Sequence, residues 1–144
     1  MRIVIDTNIW VSGLLWKGEA WRLLRLADEG LLKICIAYPM LLELEEVLNY
    51  PRFAPRLLTL QQTPAQLAGF ALSISVAVEV MRAWPPIITA DPDDDLFILC
   101  AVAASADYVV TADHHLLSLG AYRGVPILTI GEFFTRIAPD HLTG

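Results

Sequence analysis

The stretch Ile3-Val4-Ile5-Asp6-Thr7-Asn8 decides the fold. Its first three residues form a short apolar run rich in β-branched side chains, which is typical of a strand buried on both faces. Three polar residues follow at once, and such residues favour turns and helix starts. The stretch therefore predicts a buried strand that places Asp6 at its carboxyl end.

Strands and helices alternate along the rest of the chain. Other strands are predicted at 34–37, 76–80, 108–111 and 126–129. Helices are predicted around 21–27, from Pro39 to about Tyr50, from Thr63-Pro64 onward, from about Asp93 to Ala104, and around Phe133-Phe134. This alternation implies an α/β fold with a mainly parallel sheet covered by helices on both faces. We expect one domain over residues 1–144, since no repeat, low-complexity tract or linker divides them.

The composition excludes some classes of protein. With 56% hydrophobic and 18% charged residues, the chain is not of the disordered type. No apolar run approaches the ~20 residues of a spanning helix, so we expect no membrane segment. Cys35 and Cys100 lie in apolar stretches and are expected to be buried free thiols in a reducing cytoplasm. A net charge of −6 argues against unspecific nucleic-acid binding through a basic face, but it permits an acidic metal site.

Acidic residues fall where a parallel sheet binds its ligands, just beyond the carboxyl ends of the strands. Asp6 follows the first strand directly, Glu43 lies in the helix after the second, and Asp113 comes two residues after 108–111. Asp94 joins them if its helix starts near the same edge. Mg²⁺ and Mn²⁺ prefer such oxygen ligands, and carboxylates gathered without a cation repel one another. The pattern predicts a divalent metal site suited to phosphodiester hydrolysis.

Each acid also has a purely structural interpretation. Asp6 and Asp113 could cap helices, and the acids of 91–95 suit a helix start, although one cap cannot use four acids. On a helical wheel, Glu43 and Glu45 lie on the two edges of an apolar arc and Glu46 points away. The wheel therefore excludes Glu46 from the acidic site, but it cannot choose between Glu43 and Glu45. Taken together, the acids at matching strand ends favour the metal site.

Other polar residues are less informative. His114 and His115 are adjacent, so in a helix they would point about 100° apart, and surface positions are expected for both. The region of Trp16-Lys17, with Arg22 and Arg25 on one helix face, is a candidate for RNA contact or a solvated face.

Several segments, in this order, resemble the PIN-domain family of metal-dependent ribonucleases, and within it the bacterial, VapC-like toxins of toxin–antitoxin pairs. The segments are Ile3–Asn8 with Val11-Ser12, Leu41–Leu48 with Pro51-Arg52-Phe53, Asp91–Asp95, Ala106–Asp113 with Leu116-Leu117, and Ile127-Leu128-Thr129 with Glu132-Phe133. The resemblance covers nearly the whole chain. It implies a three-layer α/β/α sandwich.

The resemblance also implies an acidic quartet of Asp6, Glu43, Asp94 and Asp113, and it selects Glu43 over Glu45. Asp6, Asp94 and Asp113 are the implied ligands of Mg²⁺ or Mn²⁺, and Glu43 would bind or position the attacking water. Asp95 is a candidate for the outer shell of the site. Asn8 and Thr111 match polar positions that orient ligands or water.

The implied activity is hydrolysis of RNA phosphodiester bonds, with a small antitoxin as partner and a homodimer as the assembly. The chain departs from the family pattern at two places. Tyr38-Pro39 stands where a Ser usually starts the Glu43 helix, and His115 stands where a further acid is expected. The first departure puts the helix cap in doubt, and the second could alter metal binding or only the surface.

Three other functions are compatible with acids at strand ends: a phosphatase, a receiver domain and a binding module. A common Mg-dependent phosphatase signature needs a second Asp where this chain has Asn8, and a receiver domain needs a Lys at the end of a late strand, which 108–111 and 126–129 lack. The third is a non-catalytic module that binds a metal or a partner.

Overall fold

The computed structural model describes residues 1–80 and 95–137. Within them, six strands form one sheet in the order β3-β2-β1-β4-β6-β5. The strands are β1 Arg2–Ile5, β2 Lys33–Ala37, β3 Ser75–Val78, β4 Tyr108–Val110, β5 Ala121–Tyr122 and β6 Val125–Leu128. All neighbouring pairs are parallel except β5 with β6. The predicted mainly parallel sheet is confirmed.

Helices cover both faces of the sheet and give the expected three-layer α/β/α sandwich. In the described part of the chain they are α1 Thr7–Leu15, α2 Glu19–Asp28, α3 Tyr38–Leu48, α4 Ala54–Leu60, α5 Pro64–Ser73, α6 Asp95–Ala103, α7 His114–Leu117 and α8 Ile130–Ile137. A short 3₁₀ helix, Pro51–Phe53, precedes α4. None of these helices is long and apolar enough to cross a membrane.

The local sequence explains the start of α5 and the close crossing of α1 with α2. Thr63 caps α5 through a reciprocal pair of hydrogen bonds with Gln66, and Pro64 occupies the first turn. Gly13 of α1 allows a close helix crossing, because a Cβ there would lie 2.7 Å from the Leu24 side chain of α2. Ile3, Val4 and Ile5 of the central strand β1 are fully buried, as their apolar run predicts.

The sequence did not predict the edge strand β5. It forms an antiparallel hairpin with β6 through Arg123-Gly124, both of which have positive φ. Two central residues with positive φ are typical of tight hairpin turns whose twist matches that of the strands. With only two residues, β5 is too short to leave a periodic pattern in the sequence.

Cys35 and Cys100 are both buried and unpaired, as expected. Burial raises the pKa of the Cys100 thiol to about 12, and the nearby Cys35 adds to this effect. Burial also raises the pKa of Cys35. Both thiols are therefore core side chains without thiolate reactivity at neutral pH.

Candidate active site

Asp6 lies at the carboxyl end of the central strand β1 and is only 4% exposed. Its Oδ1 accepts a hydrogen bond from the Ile9 amide at 2.9 Å, which caps α1. Its Oδ2 accepts from the Ala112 amide at 3.1 Å and from the Thr111 hydroxyl. These donors fix the carboxylate, and Oδ1, which accepts only one of the three hydrogen bonds, keeps a lone pair for a cation.

Thr111 connects two of the predicted acids. It directly follows β4, the parallel neighbour of β1, and it is fully buried. Its hydroxyl donates to Asp6 and accepts from the Asp113 amide at 2.9 Å. One hydroxyl therefore sets the position of the Asp6 carboxylate relative to the backbone that carries Asp113.

Asp113 caps the short helix α7, so the structural role considered for it is present. Its Oδ1 accepts from the amides of His115 at 2.8 Å and Leu116 at 3.1 Å. Within the described residues, Oδ2 receives no donor. Capping uses one oxygen and leaves the second for another ligand, so the cap does not exclude a metal site.

Glu43 approaches the same place from α3. Its Oε2 accepts from the hydroxyl of Thr7 at 3.0 Å, and Thr7 is the buried first residue of α1. The helical wheel predicted an apolar arc that includes Leu44 and Val47, with Glu46 pointing away. The structure confirms this, since Leu44 and Val47 are buried and Glu46 is exposed. The sequence alone did not predict a separate role for Thr7. A hydroxyl next to Asp6 at a helix start was the available signal.

Three carboxylates from separate elements line one open pocket of about 190 Å³. Its lining residues in the described part of the chain are Asp6, Thr7, Asn8, Glu43, Val47, Phe97 and Asp113. Glu45 is not among them. The pocket has room for an ion with several waters.

The predicted Asp94 lies outside the described residues, as do Asp91 and Asp93. Asp95 is described: it begins α6 and is 5% exposed. Phe97 of the same helix forms part of the pocket wall. Asp95 itself does not appear in that wall.

The donor set fits a hard divalent ion, because every candidate ligand is an oxygen. Among residues 1–80 and 95–137, no three His, Cys, Asp or Glu side chains are close enough to form a metal cluster by themselves. Mg²⁺ commonly takes only one or two protein carboxylates and fills its shell with water and substrate phosphate. A partly hydrated ion therefore suits this open pocket better than an enclosed site.

The two departures from the family pattern have simple local consequences. Helix α3 starts after Ala37 without a side-chain cap, and Tyr38 is 69% exposed while Pro39 occupies the first turn. The doubt about a cap is thus confirmed. His115 is exposed and donates its backbone amide to Asp113, so its contribution near the pocket comes from the main chain.

A family model described as PIN domain matches residues 2–115. The matched region runs from β1 into α7 and includes Asp6, Glu43, Asp94 and Asp113. Neither the comparison with curated proteins nor that with solved structures gave a match.

Proposed function

This chain belongs to the PIN-domain family, and we propose that it is a metal-dependent endoribonuclease, the toxin of a toxin–antitoxin pair. Membership itself indicates a nuclease, generally one that uses a divalent metal. The observation that carries the finer proposal is the meeting of Asp6, Glu43 and Asp113 in one open, polar pocket.

We assign Asp6 and Asp113 as ligands of Mg²⁺ or Mn²⁺. Asp94, which lies outside the described residues, is the third ligand that the family resemblance implies. The hydrogen bonds to Asp6 support its assignment, because they hold the carboxylate in place before any ion arrives. Asn8, Thr111 and Asp95 are assigned supporting roles.

We assign Glu43 to the water that attacks phosphorus. The Thr7 hydroxyl orients its carboxylate toward the pocket that also contains Asp6. When bound, the metal supplies positive charge that offsets the charge of the phosphodiester and makes the water a better nucleophile. Attack by the water oxygen breaks one P–O bond, and the departing oxygen ends with a proton.

The toxin assignment rests on the resemblance, and it carries several further proposals. The partner is a small antitoxin that covers the pocket, with a basic residue reaching the carboxylates. The enzyme acts in the cytoplasm as a homodimer, and each subunit consists of a single PIN-like domain over residues 1–144. The open pocket and its acids are compatible with a basic inhibitor.

The test is cleavage of a pool of fluorescent single-stranded and structured RNAs with Mg²⁺, Mn²⁺ or EDTA. Wild type is compared with Asp6→Asn, which can still cap α1 through its amide oxygen. Asp107→Asn is the matched control, because Asp107 also accepts a backbone hydrogen bond but lies exposed at the opposite end of the sheet. We expect metal-dependent cleavage that falls at least about a hundredfold in Asp6→Asn and stays unchanged in Asp107→Asn.

Equal cleavage by Asp6→Asn and wild type would contradict the proposal. So would a protein that binds metal in a calorimeter yet cuts no RNA in the pool, since this is the behaviour of the non-catalytic alternative.

A further inference from the structure

A second surface combines exposed aromatic rings with arginines. Arg52 lies over the rings of Tyr50 at 5.6 Å and of Phe53 at 4.8 Å. Phe53 contacts Trp16 edge to face at 6.2 Å, and Arg56 lies 5.9 Å from the Trp16 ring. We call these five residues, Trp16, Tyr50, Arg52, Phe53 and Arg56, the aromatic–basic surface.

The charge of this surface is opposite to that of the chain. The protein carries 16 Asp and Glu, yet residues 47–78 contain none. In the described part of the chain, the only ion pair joins Arg25 to Glu29 in α2. Arg52 and Arg56 therefore have no acidic partner there, and both remain able to bind an external anion.

Two helices, α1 and α3, connect the surface to the pocket. Helix α1 starts at the pocket with Thr7 and ends just before Trp16. Val47 lines the pocket, and its carbonyl accepts from the Tyr50 amide at 3.0 Å. At 1.5 Å per helical residue, Trp16 lies about 15 Å from Asp6 along α1. A few nucleotides of extended chain span such a distance.

We infer that the aromatic–basic surface binds single-stranded RNA on its way to the pocket. Trp16 and Tyr50 are 46% and 42% exposed, and their rings stack with bases. Arg52 and Arg56 contact phosphates, and Arg56 is held for this by a 2.7 Å hydrogen bond to the Leu15 carbonyl. The inference rests on the proposed function, since it names how the substrate of that pocket is held.

The two arginines singled out in the sequence, Arg22 and Arg25, make other contacts and are not part of this surface. Arg25 is already paired with Glu29 at 3.3 Å, and Arg22 lies 4.7 Å from the ring of Phe134 in α8. Single strands are favoured over duplexes because paired bases do not present their faces to side chains. A protein partner at this face is the competing outcome of the test.

The experiment measures binding separately from cleavage. Anisotropy of a fluorescein-labelled single-stranded RNA of about 12 nucleotides is followed in EDTA, where no metal-dependent cleavage interferes. Tyr50→Leu removes the ring and should weaken binding about tenfold, while Tyr50→Phe keeps the ring and should restore it. Arg52→Gln should lower the slope of log K against log salt by about 0.7.

Arg123→Gln is the matched control. Arg123 is exposed and lies 5.5 Å from the ring of Tyr122, so it repeats the Arg52–Tyr50 arrangement in the β5–β6 hairpin. Its loss should leave the affinity and the salt slope unchanged. Thermal melting of every variant confirms that it is folded.

The outcomes separate this inference from the proposed function. If the wild type cuts RNA but Tyr50→Leu and Arg52→Gln bind RNA normally, the inference alone is overturned. The surface would then be a site for a protein partner. Binding lost in those variants, with no cleavage in any metal, would overturn the function and keep the RNA surface. Equal affinity for duplex and single strand, or equal weakening by Arg123→Gln, would also overturn the inference.

Discussion

Asp6 of the pocket and Arg52 of the aromatic–basic surface are held in opposite ways. Asp6 is buried, and three donors from α1 and the end of β4 fix its two oxygens. Arg52 is exposed, and within residues 1–80 and 95–137 it rests only on the rings of Tyr50 and Phe53. Groups fixed by backbone hydrogen bonds suit a reaction that needs defined geometry. Groups resting on rings can adapt, which suits contacts with a varied sequence.

This difference separates two kinds of effect. Changes in the pocket should alter turnover with little effect on RNA affinity measured without metal. Changes in the aromatic–basic surface should alter affinity and its salt dependence.

The largest effect within this comparison is expected for Asp113→Asn. Asn can still accept from the His115 and Leu116 amides, so α7 keeps its cap. Removing the charge of a proposed metal ligand should lower metal-dependent cleavage by more than about a hundredfold, since even the partners of ligands typically contribute 10–100-fold. Single-turnover cleavage rates measure this. Normal turnover would remove Asp113 from the pocket chemistry.

A smaller effect is expected for Thr111→Val, which keeps the shape of the side chain but removes the hydroxyl shared by Asp6 and the Asp113 amide. Loss of both hydrogen bonds should lower the free energy of unfolding by about 1–3 kcal/mol. It should also slow cleavage about 10–100-fold. Thr111→Ser retains the hydroxyl and should recover most of the rate. Denaturant unfolding and cleavage rates test the two parts, and a Ser variant as slow as Val would contradict this role.

The smallest effect is expected for Glu132, a carboxylate outside both regions. Hydrogen bonds from the Thr129 amide and hydroxyl lower the pKa of Glu132, and the two residues form a reciprocal cap at the start of α8. Because the folded pKa is the lower one, the charged form stabilises the fold above the ordinary Glu pKa. This contribution is lost as the pH falls through the lowered pKa.

Glu132→Gln should therefore melt slightly below wild type at pH 7, and the difference should disappear in acid. Its RNA cleavage and RNA affinity should both remain unchanged. A melting difference that grows toward low pH would contradict the sign of the effect.

The sequence predicted the parts of the site that are tied to strand ends. The apolar run Ile3–Ile5 placed Asp6, and the strand ending near Val110 placed Thr111 and Asp113 in the neighbouring position. The helical wheel could not choose between Glu43 and Glu45, because the rotation of α3 depends on its contact with α1. The hydrogen bond from Thr7 to Glu43 crosses that contact, and although the hydroxyl next to Asp6 is visible in the sequence, its partner is not.

Features that depend on helix packing were not predicted. Arg56 and Trp16 meet because α4 packs against the end of α1, and no periodic pattern encodes that meeting. The sequence pointed to Trp16 but paired it with Arg22 and Arg25, whose partners in the fold lie elsewhere. The hairpin strand β5 was too short for a pattern.

The most direct test of the central claim compares Glu43→Gln with Glu45→Gln in metal-dependent RNA cleavage. The two substitutions remove the same charge from the same helix. Of these two described residues, Glu43 lines the pocket and Glu45 does not. The pocket assignment predicts a loss of at least about a hundredfold for Glu43→Gln and a rate near wild type for Glu45→Gln. Equal rates for the two variants, or a loss confined to Glu45→Gln, would contradict it.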